Sequence, residues 1–236
     1  MQRSISLPLR KEGKLQLPLK KVLPFVVPII VLATWQISSN LGWLPSTILP
    51  SPIAVLQDGI SLTQSGELPK NLSISLYRAT LGLLIGGGIG FILGFINGMS
   101  KTCRLLFDSS IQMFRNIPHL ALIPLIILWL GINESAKISL VAIGTMFPVY
   151  INTFHGISSV DKDLIEMGKV YGLNSYELFK NIILPGAMPS ILVGLRMSLG
   201  FMWLYLIVAE TIASSEGIGY MTMNAREFLQ TDIMVL

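Results

Sequence analysis

Chemistry-bearing side chains are scarce in this chain. One cysteine, Cys103, rules out an internal disulfide framework. Two histidines, His119 and His155, stand apart from each other and from the cysteine, so no metal-ligand cluster is expected. They are also too isolated to suggest the convergent groups of an active site. Charged residues make up only 13% of the sequence, against about 25% in soluble domains. A phosphate-binding loop is missing too. The run GGGIG at 86–90 fits neither G-x-G-x-x-G nor the P-loop pattern with its Lys and Ser/Thr. ATP hydrolysis by this chain itself is therefore excluded, and no catalytic residue is assigned.

What the chain has in quantity is apolar surface: 52% of its 236 residues are hydrophobic and the mean hydropathy is +0.66. The expected fold is all-α, a polytopic membrane helical bundle with five spans and the start of a sixth. The net charge of +4 does not indicate nucleic acid, because the basic residues flank apolar runs and so report membrane topology. Residues 1–21 hold six basic side chains against Glu12 alone, which places a basic N-terminal segment in the cytoplasm. No small-residue cleavage site follows Ile37, so the first run reads as an uncleaved span rather than a signal peptide.

The membrane domain then covers 22–236, with spans at about 22–37, 74–99, 105–130, 138–154 and 189–209. Pro, Ser and Gly at 41–72 suit an outer connection with a short helix at about 52–62. The closing TDIMVL is too short to cross a hydrocarbon core of about 30 Å, so a truncated sixth span is expected there. Residues 211–230 read as amphipathic, outside the membrane or re-entrant.

Gly82, Gly86, Gly90, Gly94 and Gly98 recur every four residues in the second span. On a helix they form one smooth stripe that lets a neighbouring backbone approach. The third span contains Arg115, Asn116 and His119 and should break near Pro118. Such groups at membrane depth suggest a substrate path. The preferred reading is that they lie near the cytoplasmic end, where they snorkel or pair internally. With Arg196 and Asn224 they are the candidates for lining an anion pathway. Glu210 and Glu216, near the outer end, suit either a gate or a contact with an outside protein.

The polar segment 156–186 returns to the cytoplasmic face between spans four and five. It reads as two short helices meeting at a corner. Asp163 and Glu166 have capping-box spacing, as do Asn174 and Glu177. Gly172 suits a left-handed C-cap, and Pro185 should end the second helix. Leu164, Ile165, Met167 and Val170 can form one apolar patch, and Tyr176, Phe179 and Ile183 another. Amphipathicity alone leaves an interfacial helix equally open.

The spacing from Glu166 to Pro185 resembles the EAA loop of ATP-binding cassette importer permeases, E-A-A-x3-G-x9-I-x-L-P. Glu166, Gly172, Ile182, Leu184 and Pro185 match it, with Met167 and Gly168 in place of the two alanines. LPSP at 49–52, the run at 115–138 and the run at 207–232 look like permeases of aliphatic sulfonate importers, a subfamily that also takes taurine, nitrate and bicarbonate. The resemblance implies a bacterial inner-membrane permease that works as a homodimer. Its partners would be a cytoplasmic ATP-binding subunit, docked on the 166–185 loop, and an extracytoplasmic substrate-binding protein. It implies no cofactor in this chain, ATP and Mg being bound by the partner. The competing class is a secondary transporter or channel, which would more often show paired intramembrane acids or inverted repeats.

Overall fold

The structure, a computed structural model, describes residues 16–236, with side chains from Val22 onward except those of Asp108 and His119. Most of the basic N-terminal segment lies outside the described residues. Among these residues every regular element is helical. They form two units, one of residues up to Ile60 together with Leu229–Leu236, the other Ser61–Phe228.

The first unit contains α1 (Gln16–Asn40), the start of α2 (Pro52–Gln64) and α11 (Thr231–Val235). Pro24 and Pro28 sit inside α1. Prolines are tolerated in apolar helices where local adjustment satisfies the freed carbonyls. Further along α1, Thr34 Oγ1 donates to Ile30 O and Val31 O at 2.9 Å. Trp35 Nε1 donates to Pro50 O at 3.0 Å, and Thr231 Oγ1 to Ser46 O at 2.9 Å.

The second unit is built on α3 (Glu67–Met99), α6 (Glu134–Ser158) and α9 (Leu184–Ala213), with α4 (Lys101–Arg115), α5 (Ile123–Leu130), α7 (Lys162–Val170), α8 (Ser175–Leu178) and α10 (Ile218–Glu227) around them. Helices at Val22–Asn40, Glu67–Met99, Glu134–Ser158 and Ser175–Ala213 are long and apolar enough to cross a membrane. Ser109–Arg115 and Leu120–Leu130 are long and apolar enough only when taken together, and they bend by 78°, as in a broken span or a re-entrant loop. Pro118 stands at this break, with an extended backbone (ψ 98°), where a helix could not continue.

α3 and α6 approach closely because the glycine stripe faces α6. A Cβ added at Gly82 would lie 2.5 Å from the Val141 side chain, at Gly94 2.6 Å from the Tyr150 carbonyl, and at Gly98 2.8 Å from Ile157. Gly86 and Gly90 meet backbone, the carbonyls of Ala142 and Met146. Gly88, in the same run, is exposed and has open space around it. Gly144 and Gly194 make the next seam, packing against Tyr205 and Asn152 between α6 and α9. Ala79, Val141, Met202 and Leu206 then close the core where α3, α6 and α9 meet.

Two local expectations need correction. Asp161, not Asp163, caps α7, its side chain accepting from the Asp163 amide at 2.9 Å. Pro185 does not end a helix. Ser175–Ala213 runs on through a widened turn, Phe179–Ile183, and Pro185 occupies the first turn of α9. The Leu184 amide reaches back to Phe179 O there. A turn widened by one residue displaces the proline ring from the carbonyl it would otherwise strike.

Candidate functional site

Three places in the second unit gather polar or exposed groups. The first is the end of the bundle formed by the starts of α3 and α6 and the end of α9, the outer end if Lys101 and Arg104 are cytoplasmic. Here Arg78 and Glu210 are buried, with 3% and 0% of their side chains exposed. Arg78 Nη1 donates to Glu210 Oε1 at 2.7 Å and to Glu216 O at 2.7 Å. Its Nε and Nη2 grip Glu134 with two parallel bonds of 2.6 and 2.7 Å. Lys137 Nζ adds a bond of 2.9 Å to Glu134.

Glu210 is satisfied on both oxygens: Ser75 Oγ approaches them at 2.8 and 2.9 Å, and the Gly219 amide donates at 2.9 Å. Ser75 Oγ accepts from the Ile218 amide at 2.9 Å, and Asn71 Oδ1 from the Gly217 amide at 2.7 Å. Gly217 (φ +114°) and Gly219 are glycines because a Cβ would strike the Glu210 side chain. The SEGIG stretch thus folds its backbone onto a buried carboxylate. Glu210 is consequently not available as an exposed contact residue, which removes that one of its two expected roles. Arg78 did not enter that reading, although an arginine inside a long apolar run is a signal in its own right.

Glu216 lies at the rim, its side chain 45% exposed, where Lys70 Nζ bonds it at 2.7 Å. That bond holds Glu216 below its ordinary value of 4.5. The pair strengthens the folded state above that value and loses its contribution as pH falls through the depressed one. Unfolding of Lys70→Ala and wild type, followed from pH 7 to pH 3, should differ slightly at neutral pH and converge in acid. Added salt should shrink the difference.

The second place is the segment between α6 and α9. Gly172 has φ +78°. Its amide donates to Lys169 O at 3.0 Å and that of Leu173 to Gly168 O at 3.1 Å, closing α7 with both bonds of a Schellman motif. Asn174 and Glu177 cap α8 reciprocally, each bond 2.9 Å. Gly168 is buried, and a Cβ there would lie 2.7 Å from Ile182 Cδ1, so two residues of the motif touch across the corner. Leu178, Ile183 and Ala187 pack with Ile157 at the end of α6, joined by Ile165 and Phe179. The expected patches are therefore divided, with Ile165, Phe179 and Ile183 turned inward. Leu164, Met167, Val170, Tyr171 and Tyr176 are left exposed.

The third place surrounds Arg115. A cavity of about 250 Å³ is lined by Gln112, Arg115, Tyr150 and His155 with Ile111, Ile151 and Phe154. A second, of about 280 Å³, lies between Arg115, α6 and the Met197, Phe201 and Tyr205 face of α9. Arg115 is the last residue of α4, about 21 Å along the helix from Lys101 by helical rise, and it is exposed. Asn116 lies beyond the helix end and lines neither cavity, and the side chain of His119 is outside the described ones. Arg196 is exposed on α9 and Asn224 half-buried on α10, neither of them at the cavities.

Comparison with known proteins fits this architecture. The family described as "Binding-protein-dependent transport system inner membrane component" matches residues 86–236. SsuC of Escherichia coli (strain K12), a permease protein named for aliphatic sulfonates transport, is 57% identical over 218 residues, 92% of this chain and 83% of that one. SsuC of Bacillus subtilis (strain 168) is 47% identical over 207 residues, 88% and 75% of the two chains. The taurine transport system permease protein TauC of Escherichia coli (strain K12) is 34% identical over 211 residues, 87% and 77%. A chain in the crystal structure of an amino acid ABC transporter with histidines superposes with a TM-score of 0.52 at 21% identity, over 74% of this chain and 93% of that one. This last likeness speaks for the fold alone. Such a membrane subunit is no enzyme, the ATPase and the substrate-binding protein being its partners. The chain belongs to the inner-membrane permease family of binding-protein-dependent ATP-binding cassette transport systems.

Proposed function

We propose that this chain is the permease of an aliphatic sulfonate importer, assembled as two copies with two ATP-binding subunits. The names of its relatives at 57% and 47% identity support the substrate class. ATP and Mg belong to the partner, and the closing of two such subunits would rock the bundle between inward- and outward-facing states.

One observation carries the coupling role. The corner between α7 and α8 exposes Leu164, Met167, Val170, Tyr171 and Tyr176 on a backbone fixed at both ends. Capping and the Gly168–Ile182 contact make it stiff enough to transmit a displacement, while its outer face is apolar enough to dock. Glu166, Gly172, Ile182, Leu184 and Pro185 act together: one marks the docking helix, one turns the chain, and the last three join the corner to α9.

Gly172→Val tests this. No atom lies within 4 Å of the position, so the cost is confined to the backbone, about 1–2 kcal/mol for a left-handed non-glycine residue. Membrane insertion should be unchanged, and substrate moved per ATP hydrolysed should fall severalfold. A variant that transports at the normal rate would remove the docking assignment.

A further inference from the structure

We infer that Arg115 joins a polar and an apolar cavity into one transmembrane site for an amphiphilic anion, an alkanesulfonate with its head on the guanidinium. This deepens the importer reading and rests on it. Arg78 is buried and Arg115 is exposed at the mouth of two cavities, and the two are treated differently. Arg78 is saturated by two carboxylates. Among the described residues no acid pairs with Arg115. A cation that lines two cavities without a resident counter-ion suits an anion that visits and leaves.

The surroundings specify what kind of anion. On one side of Arg115 the cavity of about 250 Å³ brings Gln112, Tyr150 and His155 together. These groups can hydrogen-bond a tetrahedral oxyanion, and the planar guanidinium can bind two of its oxygens at once. On the other side the cavity of about 280 Å³ presents Phe147, Ile151, Met197 and Phe201, walls that bind methylenes and offer little to a hydrated ion. Nitrate and bicarbonate would use only the first half. Taurine would bring an ammonium group into the second and lose its hydration. The permease would therefore add a filter of its own to that of a binding protein.

The test uses the permease with its ATP-binding subunit in lipid nanodiscs, without binding protein, both nucleotide-free and vanadate-trapped. Labelled pentanesulfonate is the probe, and methane- to hexanesulfonate compete. Saturable binding should appear in at least one state. Affinity should rise about fourfold per methylene, the factor for burying one CH₂ group, until the tail fills the cavity. Arg115→Gln should weaken every chain length about tenfold or more, as expected for losing a charged hydrogen bond, and leave the slope intact. Arg115→Lys should recover part of the loss. Phe201→Ser should flatten the slope and spare methanesulfonate. No saturable binding in either state, or Arg115→Gln equal to wild type, would overturn the site. Uptake by the same complex with binding protein and ATP separates the two readings. Transport without cavity binding removes this inference alone, whereas the absence of ATP-coupled uptake removes the importer reading.

Discussion

Arg78→Ala should destabilise the permease by about 3–5 kcal/mol, the range for removing one partner of a buried ion pair. The reason is what stays behind. Glu210 is fully buried and would be left with only Ser75 and the Gly219 amide as partners. Glu134, with half its side chain exposed, can return to water and contributes less. Three stretches would loosen together, because Arg78 also holds the Glu216 carbonyl and the Ser214 hydroxyl before α10. Arg78→Lys keeps the charge but not the fork, so it should fall between the two. Arg78→Met with Glu210→Gln should recover at least half of the loss, since glutamine can still accept from the Gly219 amide without a stranded charge. Thermal unfolding in detergent reads all four proteins. A single alanine variant within about 1 kcal/mol of wild type, the level of an exposed pair, would show that the cluster does not hold this end together.

Gly86→Leu should be the most damaging change in the glycine run, and Gly88→Leu nearly silent. At Gly86 a side chain would strike the Ala142 carbonyl and Thr145, and a backbone atom cannot rotate aside. α3 and α6 would have to separate along their length, exceeding the about 1–3 kcal/mol usual for overpacking. Gly88 faces open space and should stay within about 0.5 kcal/mol of wild type, as exposed positions do. The yield of monodisperse protein and its unfolding midpoint distinguish the pair. Equal tolerance at the two positions would mean that the stripe does not form the α3–α6 seam.

These two predictions differ in how far the sequence alone leads to them. The stripe can be read from residue numbers, because a repeat of four nearly matches a helical turn and needs no knowledge of the partner. The Asn174–Glu177 box and the Gly172 corner are local in the same way. Arg78 is not, for its partners Glu134 and Glu210 stand 56 and 132 residues away. Sequence shows only a lone charge in an apolar helix, and the reading passed over it. The two cavities beside Arg115 are not legible either, because they depend on how the chain bends at Pro118 and returns against α6 and α9. Pro185 signals a missing amide, but that the chain widens its turn rather than stopping, with Ile183 and Ala187 packed on Ile157, involves residues distant in sequence.

The central claim is that this membrane subunit moves a sulfonate only when a separate ATPase drives it. The most direct measurement reconstitutes the permease in liposomes with its ATP-binding subunit and binding protein, and follows uptake of a labelled short alkanesulfonate with nitrate, bicarbonate and taurine as competitors. Uptake should require ATP and all three components, and should resist nitrate and bicarbonate. Transport that continues without the ATP-binding subunit would contradict the account.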